Sequence, residues 1–238
     1  MTANPQNLNQ DLIRAIVKGE AVTVSQLLAQ GAEANTTGGV TALGASNTAL
    51  MWAASEGYPA IVEQLLAQGA EVNAKNATGY TALMFAAEGD RREIVERLLD
   101  QGADIGDRNA FQETVLMVLA RHGQTDLVQR VVAMGAEINA VNKIGDTALY
   151  LAVDRGQIYT VKALMDLGAD INTANLGGWT PLMMAAAQGR LEIIRLLLEH
   201  GADFHPVNRW GATALSEARK SFRAAQASEL LIRAGATE

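Results

Sequence analysis

Cysteine is absent from this chain of 238 residues. That excludes disulfides, thiolate metal sites and a cysteine nucleophile, and it fits a reducing compartment. Positive charge is in short supply: 19 Lys and Arg against 26 Asp and Glu leave a formal net charge of −7. Sequence-independent binding to nucleic acid depends on neutralising phosphates with Lys and Arg, so this balance argues against it. No polybasic run is present to meet an anionic membrane surface. No apolar run approaches the roughly 20 residues that span a bilayer. The opening MTANPQNLNQDLIRAIVKGE lacks the basic start and long apolar core of a secretory signal. These absences predict an intracellular, cytoplasmic chain with neither a nucleic-acid nor a membrane partner.

Against them stands a hydrophobic fraction of 49%, and it is arranged periodically. In Gly178–Asp203, GWTPLMMAAAQGRLEIIRLLLEHGAD, Thr180 can cap a first helix and Pro181 has its φ already set for one. Leu182 and Ala186 lie one turn apart on a single face, and Gly189 supplies a left-handed stop. Ile193, Ile194, Leu197 and Leu198 form the apolar stripe of a second helix closed by Gly201. Such a unit leaves one whole side apolar and needs neighbours. Gly69, Gly102, Gly135, Gly168 and Gly201 recur every 33 residues, while Gly31 precedes this series by 38 and Gly235 follows it by 34. A fixed period of this size marks stacked repeats.

Thr48-Ala-Leu-Met-Trp-Ala-Ala, Thr81-Ala-Leu-Met-Phe-Ala-Ala, Thr147-Ala-Leu-Tyr-Leu-Ala and Thr180-Pro-Leu-Met-Met-Ala-Ala resemble the T-P-L-H-x-A-A box of the ankyrin-repeat family. Gly69-Ala-Glu-Val-Asn-Ala, Gly135-Ala-Glu-Ile-Asn-Ala and Gly168-Ala-Asp-Ile-Asn-Thr resemble its G-A-x-x-N-A box. The resemblance runs from about residue 10 to 236. It implies an all-α solenoid of stacked helix-turn-helix units joined by β-hairpin-like fingers, forming one domain over 1–238. Within it, residues 8–35 are the N-terminal cap repeat, 36–47 an extended first finger, 48–208 five internal repeats and 209–238 the C-terminal cap.

The departures are specific. Asn35 and Thr48 are 13 residues apart where Asn73–Thr81, Asn139–Thr147 and Asn172–Thr180 are 8 apart, so five extra residues enter the first finger. Its Gly38, Gly39 and Gly44 lack the Gly-Lys-Ser/Thr ending and preceding strand of a phosphate loop, which leaves a longer, mobile hairpin tip. The family's TPLH histidine is replaced by Met51, Met84, Met117, Tyr150, Met183 and Ser216, and the methionines are expected to fill gaps between repeats. The fourth unit is the least regular: Gly106 replaces the box asparagine, Gln112 the finger glycine and Leu119 an alanine. Asp90 replaces the inter-helix glycine of the third. Val72, Ile105, Ile138, Ile171 and Phe204 are expected to point the finger bases into the stack, and Trp52, Phe85, Val118, Leu151 and Met184 to pack between repeats.

Reactive constellations are missing. His122, His200 and His205 have no spacing that puts them on one helical face with further ligands, so no metal, cofactor or catalytic residue is assigned. Function then rests on shape. The resemblance implies that partners bind at the finger tips and the groove of the first helices. Tyr80, Phe111, Ile144, Leu176, Trp179 and Trp210 are the tip candidates, an apolar and aromatic row of the kind that anchors interfaces, with Arg209 beside them. Arg121, His122 and Arg155 are the groove candidates, a positive spot that could receive an acidic segment. The expected function is a non-catalytic interaction module for a protein or peptide, monomeric by itself. The alternative is an assembly scaffold that self-associates or caps a larger complex.

Overall fold

From the second repeat onward, each first helix begins on a threonine whose hydroxyl accepts from the backbone N–H three residues on, so these helices start where the threonine boxes place them. Thr48, Thr81, Thr114, Thr147, Thr180 and Thr213 all cap in this way at 3.1–3.4 Å. The computed structural model describes residues 5–38 and 46–237. Among them are fourteen helices, and the chain divides by its contacts into two units, Met1–Ala110 and Phe111–Glu238.

The first unit contains α1 (Pro5–Val17), α2 (Ala21–Ala29), α3 (Ala49–Glu56), α4 (Pro59–Ala67), α5 (Ala82–Glu88) and α6 (Arg92–Asp100). The second contains α7 (Val115–Arg121), α8 (Thr125–Ala133), α9 (Ala148–Arg155), α10 (Ile158–Asp166), α11 (Pro181–Ala187), α12 (Leu191–Glu199), α13 (Ala214–Ala218) and α14 (Ala224–Arg233). In both, consecutive helices pair as hairpins and the odd-numbered helices stack on one another, as do the even-numbered ones. The core therefore lies between repeats. Ile61, Leu65, Ile94 and Leu98 fill it in the first unit, and Leu127, Val131, Leu164, Ile194 and Leu197 in the second. Each such side chain contributes roughly 1.5–3 kcal/mol.

The methionines at the histidine position are core. Met51, Met84, Met117 and Met183 are fully buried, Tyr150 is buried, and Ser216 instead completes a reciprocal cap with Thr213. Val118 and Leu151 are buried as expected, whereas Trp52, Phe85 and Met184 are half-buried. So are Val72, Ile105, Ile138, Ile171 and Phe204, which line the finger bases without entering the core. In the irregular fourth repeat Leu119 is fully buried, and α7 buries every residue from Val115 to Ala120.

Box asparagines tie neighbouring repeats. Asn35, Asn73, Asn139 and Asn172 each accept the backbone N–H of an acidic residue one repeat on, Glu71, Asp104, Asp170 and Asp203, all at 2.8 Å. Asn9 does the same for Glu33 from α1. Among the described residues the strands are β1 (Thr37–Gly38) and β2 (Asn47–Thr48), antiparallel at the base of the first finger. The indole N–H of Trp52 donates to the Gly38 carbonyl at 2.6 Å and holds that base to α3. The inserted tip, including Gly39 and Gly44, lies outside the described residues.

Left-handed backbone closes the helices. Gly201 has φ +84° one residue past the α12 C-cap, where any β-carbon is penalised. The two non-glycine residues with positive φ among those described are Asp90 (φ 54°) and Gln112 (φ 60°). These are two of the positions where the sequence departs from a repeat glycine, so the backbone there follows the repeat and the side chains bear the strain. Asp90 is exposed. Asp90→Gly is expected to stabilise the chain by about 0.5–1 kcal/mol, seen as a rise of about 1–4 °C in thermal midpoint. An unchanged or lower midpoint would contradict a strained Asp90.

Candidate functional site

The fingers are built on an asparagine that recurs at the period of the repeat: Asn76, Asn109, Asn142, Asn175 and Asn208. At Asn76, Asn142, Asn175 and Asn208 the side-chain oxygen accepts the backbone N–H groups two and four residues on. Asn142 does so for Ile144 and Asp146 at 3.0 and 2.9 Å, Asn175 for Gly177 and Trp179 at 2.9 and 3.1 Å, and Asn208 for Trp210 and Ala212 at 3.0 Å each. Asn76 holds Thr78 and Tyr80 identically. The residue three after the asparagine donates to its carbonyl and takes positive φ, and the fourth accepts from its N–H. This is a tight turn followed by a left-handed residue, the usual three-residue hairpin loop.

That geometry sorts the finger residues by position. The first and second after the asparagine stand out into solvent: Phe111 is 48% exposed, Ile144 59%, Leu176 58% and Trp210 73%. Lys143 and Arg209 are exposed beside them. The fourth turns inward. Glu113 and Asp146 are buried there, and Tyr80 and Trp179 are half-buried. Tyr80 packs on Phe85 with ring centroids 5.2 Å apart. Thus Tyr80 and Trp179 line the fingers from within, while Phe111, Ile144, Leu176 and Trp210 carry the outer row.

Adjacent tips are joined by main-chain bonds. In the second unit Lys143 donates to the Phe111 carbonyl at 2.8 Å, Leu176 to Ile144 at 3.0 Å and Arg209 to Gly177 at 3.1 Å. Ala110 donates to Thr78 at 2.8 Å in the first. Gly177 gives the last two fingers their close approach. A β-carbon there would lie 3.2 Å from Trp179 Cδ1 and 3.3 Å from Trp210 Cζ3, so both indoles border it.

The groove cations are placed differently from the expected positive spot. Arg121 runs back along α7 to Glu113, with Nη1–Oε1 2.6 Å, and both side chains are mostly buried. Arg155 is exposed, with Nε 3.5 Å from Asp154 Oδ2. His122 is exposed at the α7 C-cap. His122 and Arg155 lie at the inter-helix turns, a helix length of about 10 Å from the tips, so they do not join the finger row. Nearby, a depression of about 590 Å³ is lined by Gly156, Gln188, Arg190, Phe222 and Arg223. Arg190 is committed there to the Asp154 carbonyl at 2.7 Å and to Gln188 Oε1.

Between turns and tips lies an acidic patch. Asp146 accepts from Asn175 Nδ2 at 2.9 Å, and Asp154 accepts from Gln188 Nε2 at 2.9 Å. Burial pushes the Asp146 carboxyl above its usual 3.8, with Asp154 and Glu113 adding to the effect and the bonds from Asn175 and Asn142 opposing it. Burial, and then Asp146 and Asp154, push the Tyr150 phenol upward too. Outside this patch, Asp170 and Asp203 are held below the usual range, chiefly by backbone N–H bonds from Asn172 and His205. Among the described residues no cluster of three or more His, Asp or Glu is arranged to hold a metal, and no helix is long and apolar enough to cross a membrane.

The folded chain holds the Asp146 proton more tightly than the unfolded chain. Protonation therefore stabilises the fold, and stability falls as pH rises through the interval above 3.8. Asp146→Asn keeps an oxygen for Asn175 and removes the buried charge. Its thermal midpoint is expected to exceed that of the parent at pH 7, with the gap narrowing as pH falls towards 4. A gap that is independent of pH would rule this out.

The comparisons agree with the geometry. A family model described as ankyrin repeats (3 copies) matches residues 12–109, 106–175 and 168–237. The crystal structure of the human ASB11 ankyrin repeat domain is similar at a TM-score of 0.80 and 26% identity, covering 95% of this chain and 98% of that one. No curated protein matches in sequence. Ankyrin repeats are generally protein–protein interaction modules, and the fold is typically non-catalytic. With capped helix pairs, closing glycines and asparagine-built fingers all recurring at its period, the chain belongs to the ankyrin-repeat family.

Proposed function

We propose that the chain is a non-catalytic binding module that takes a protein or peptide partner on the finger tips of its second unit. The observation carrying this reading is where exposed apolar surface collects. Among the described residues of the second unit eleven large hydrophobic side chains are exposed, and six of them are on fingers: Phe111, Val141, Ile144, Leu176, Val207 and Trp210. Exposed apolar patches of this kind mark interaction sites, and aromatic anchors dominate their energetics. The fingers of the first unit expose no such residue among those described. A standard interface needs about 800 Å² per partner, an area that neighbouring fingers and the face beneath them are suited to supply.

Rigid tips suit this role. Each is fixed by its asparagine and tied to the next by a main-chain bond, so little ordering entropy remains to be lost on association. Truncating Phe111, Ile144 and Trp210 together to Ala is expected to abolish partner capture from extract of the source cell. The thermal midpoint should fall by no more than about 6 °C, because surface changes of this sort cost under roughly 0.5 kcal/mol each. Tyr159→Ala, at a residue still more exposed but on α10, should capture as the parent does. Capture by the triple variant at the parental level would refute the tip assignment.

A further inference from the structure

The tip row carries a charge opposite to that of the chain. Counting the outward positions of its four fingers, the second unit presents Phe111, Lys143, Ile144, Leu176, Arg209 and Trp210. Two are cations and none is a carboxylate, on a chain whose net charge is −7. The carboxylates of the turns themselves, Glu113 and Asp146, are directed inward and held by Arg121 and Asn175, while Glu137, Asp170 and Asp203 are exposed at the finger bases, off the row. Lys143 and Arg209 make no ion pair among the described residues. The row is therefore apolar and cationic, and its complement is apolar and acidic.

Its spacing restricts the ligand further. Stacked helices repeat at about 8–10 Å, and each finger leads into its own first helix, so the fingers recur at that pitch. The main-chain bonds between tips, Lys143 to Phe111, Leu176 to Ile144 and Arg209 to Gly177, run from finger to finger and occupy those main-chain groups, and the row crosses separate turns instead of following one strand that an added β-strand could pair with. A polyproline II segment needs no such edge. It has three residues per turn and rises about 3.1 Å per residue, so every third side chain recurs at about 9.3 Å on one face. At the Trp179–Gly177–Trp210 corner two indoles lie against one glycine, and Trp210 offers most of its ring to solvent, the type of aromatic surface on which such segments dock.

Building on the proposed tip site, we infer that its ligand is an extended acidic segment of about ten residues. Apolar or proline side chains at every third position meet Phe111, Ile144, Leu176 and Trp210 in turn. Acidic residues about six apart meet Lys143 and Arg209, which lie two fingers apart.

The test is a selection of random displayed 16-residue peptides on the full chain, run in parallel on the Ile144→Ala/Trp210→Ala variant. The expected outcome is an enriched pool, absent on the variant, that is acidic and apolar at every third position. A synthetic peptide of the pool's consensus, followed by fluorescence anisotropy, should bind about 30-fold more weakly to Trp210→Ala. Lys143→Glu and Arg209→Glu should each weaken it about 3–10-fold and flatten its salt dependence. Tyr159→Ala should bind as the parent does, and a peptide with each acid changed to Lys should not bind.

A tip-dependent pool that is basic, uncharged, or apolar at seven-residue helical spacing overturns the acidic extended ligand and leaves the tip site standing. Equal binding of the Lys-substituted peptide, or no loss on Lys143→Glu and Arg209→Glu, does the same. A pool that enriches equally on the variant, or no pool at all, overturns both.

Discussion

One asparagine amide at the base of each finger decides where the rest of that finger can point. Asn142 and Asn175 each gather two backbone N–H groups onto one oxygen, and Asn175 passes its own N–H to the inward carboxylate of the preceding finger, Asp146. Asn76 does the same to Asn47 at 2.8 Å. The turn is then fixed without regular strands, and the exposed residues at its crest come at little entropic cost. Apolar side chains on a floppy loop would collapse onto the nearest surface. On a braced turn they stay in water.

The same device shows where fit is traded against bonding. The residue that should accept from Asn208 is Trp179, which offers no oxygen, and Asn208 Nδ2 is buried without a hydrogen-bond partner among the described residues. An unmet buried donor costs about 1–3 kcal/mol. Trp179 in that place fills the inner side of the finger and borders Gly177, over which Trp210 extends. The chain thus sacrifices one link of its amide ladder at the corner where two indoles meet. In the finger before it the carboxylate is kept, and the cost falls on Asp146 as an unfavourable buried charge.

Much of this could be read from the residues. Period, caps and closing glycines reflect local chemistry: Thr180 finds Met183 N–H within one turn, and Gly201 needs only its own φ. The burial of Met84 and Met117 followed from their being interior positions of a stacked helix. What stayed hidden was sidedness within the finger. Tyr80, Trp179, Phe111 and Trp210 look alike as apolar residues beside a glycine, yet two turn in and two turn out. The deciding signal was the spacing from Asn76, Asn109, Asn175 and Asn208, an asparagine series at the same period as the glycines. The Arg121–Glu113 pair was hidden for another reason. It joins a finger to the far end of the following helix, and a spacing of eight residues there is neither a helical nor a strand neighbour.

Sidedness also explains how an acidic chain can present a cationic edge. Charge on a finger is separated by position, with carboxylates at the inward fourth residue, where Arg121 or an asparagine amide receives them, and Lys143 and Arg209 at the outward first. Net charge sets the distant field that a partner meets, but the row of tips sets the near one, within a Debye length of about 8–10 Å. A segment with one negative charge for every six residues would set its charges beside Lys143 and Arg209 at the crests, while Glu113 and Asp146 are buried and already held by Arg121 and Asn175. The fold fixes the pitch of the fingers; the residues at their crests decide what can lie across them.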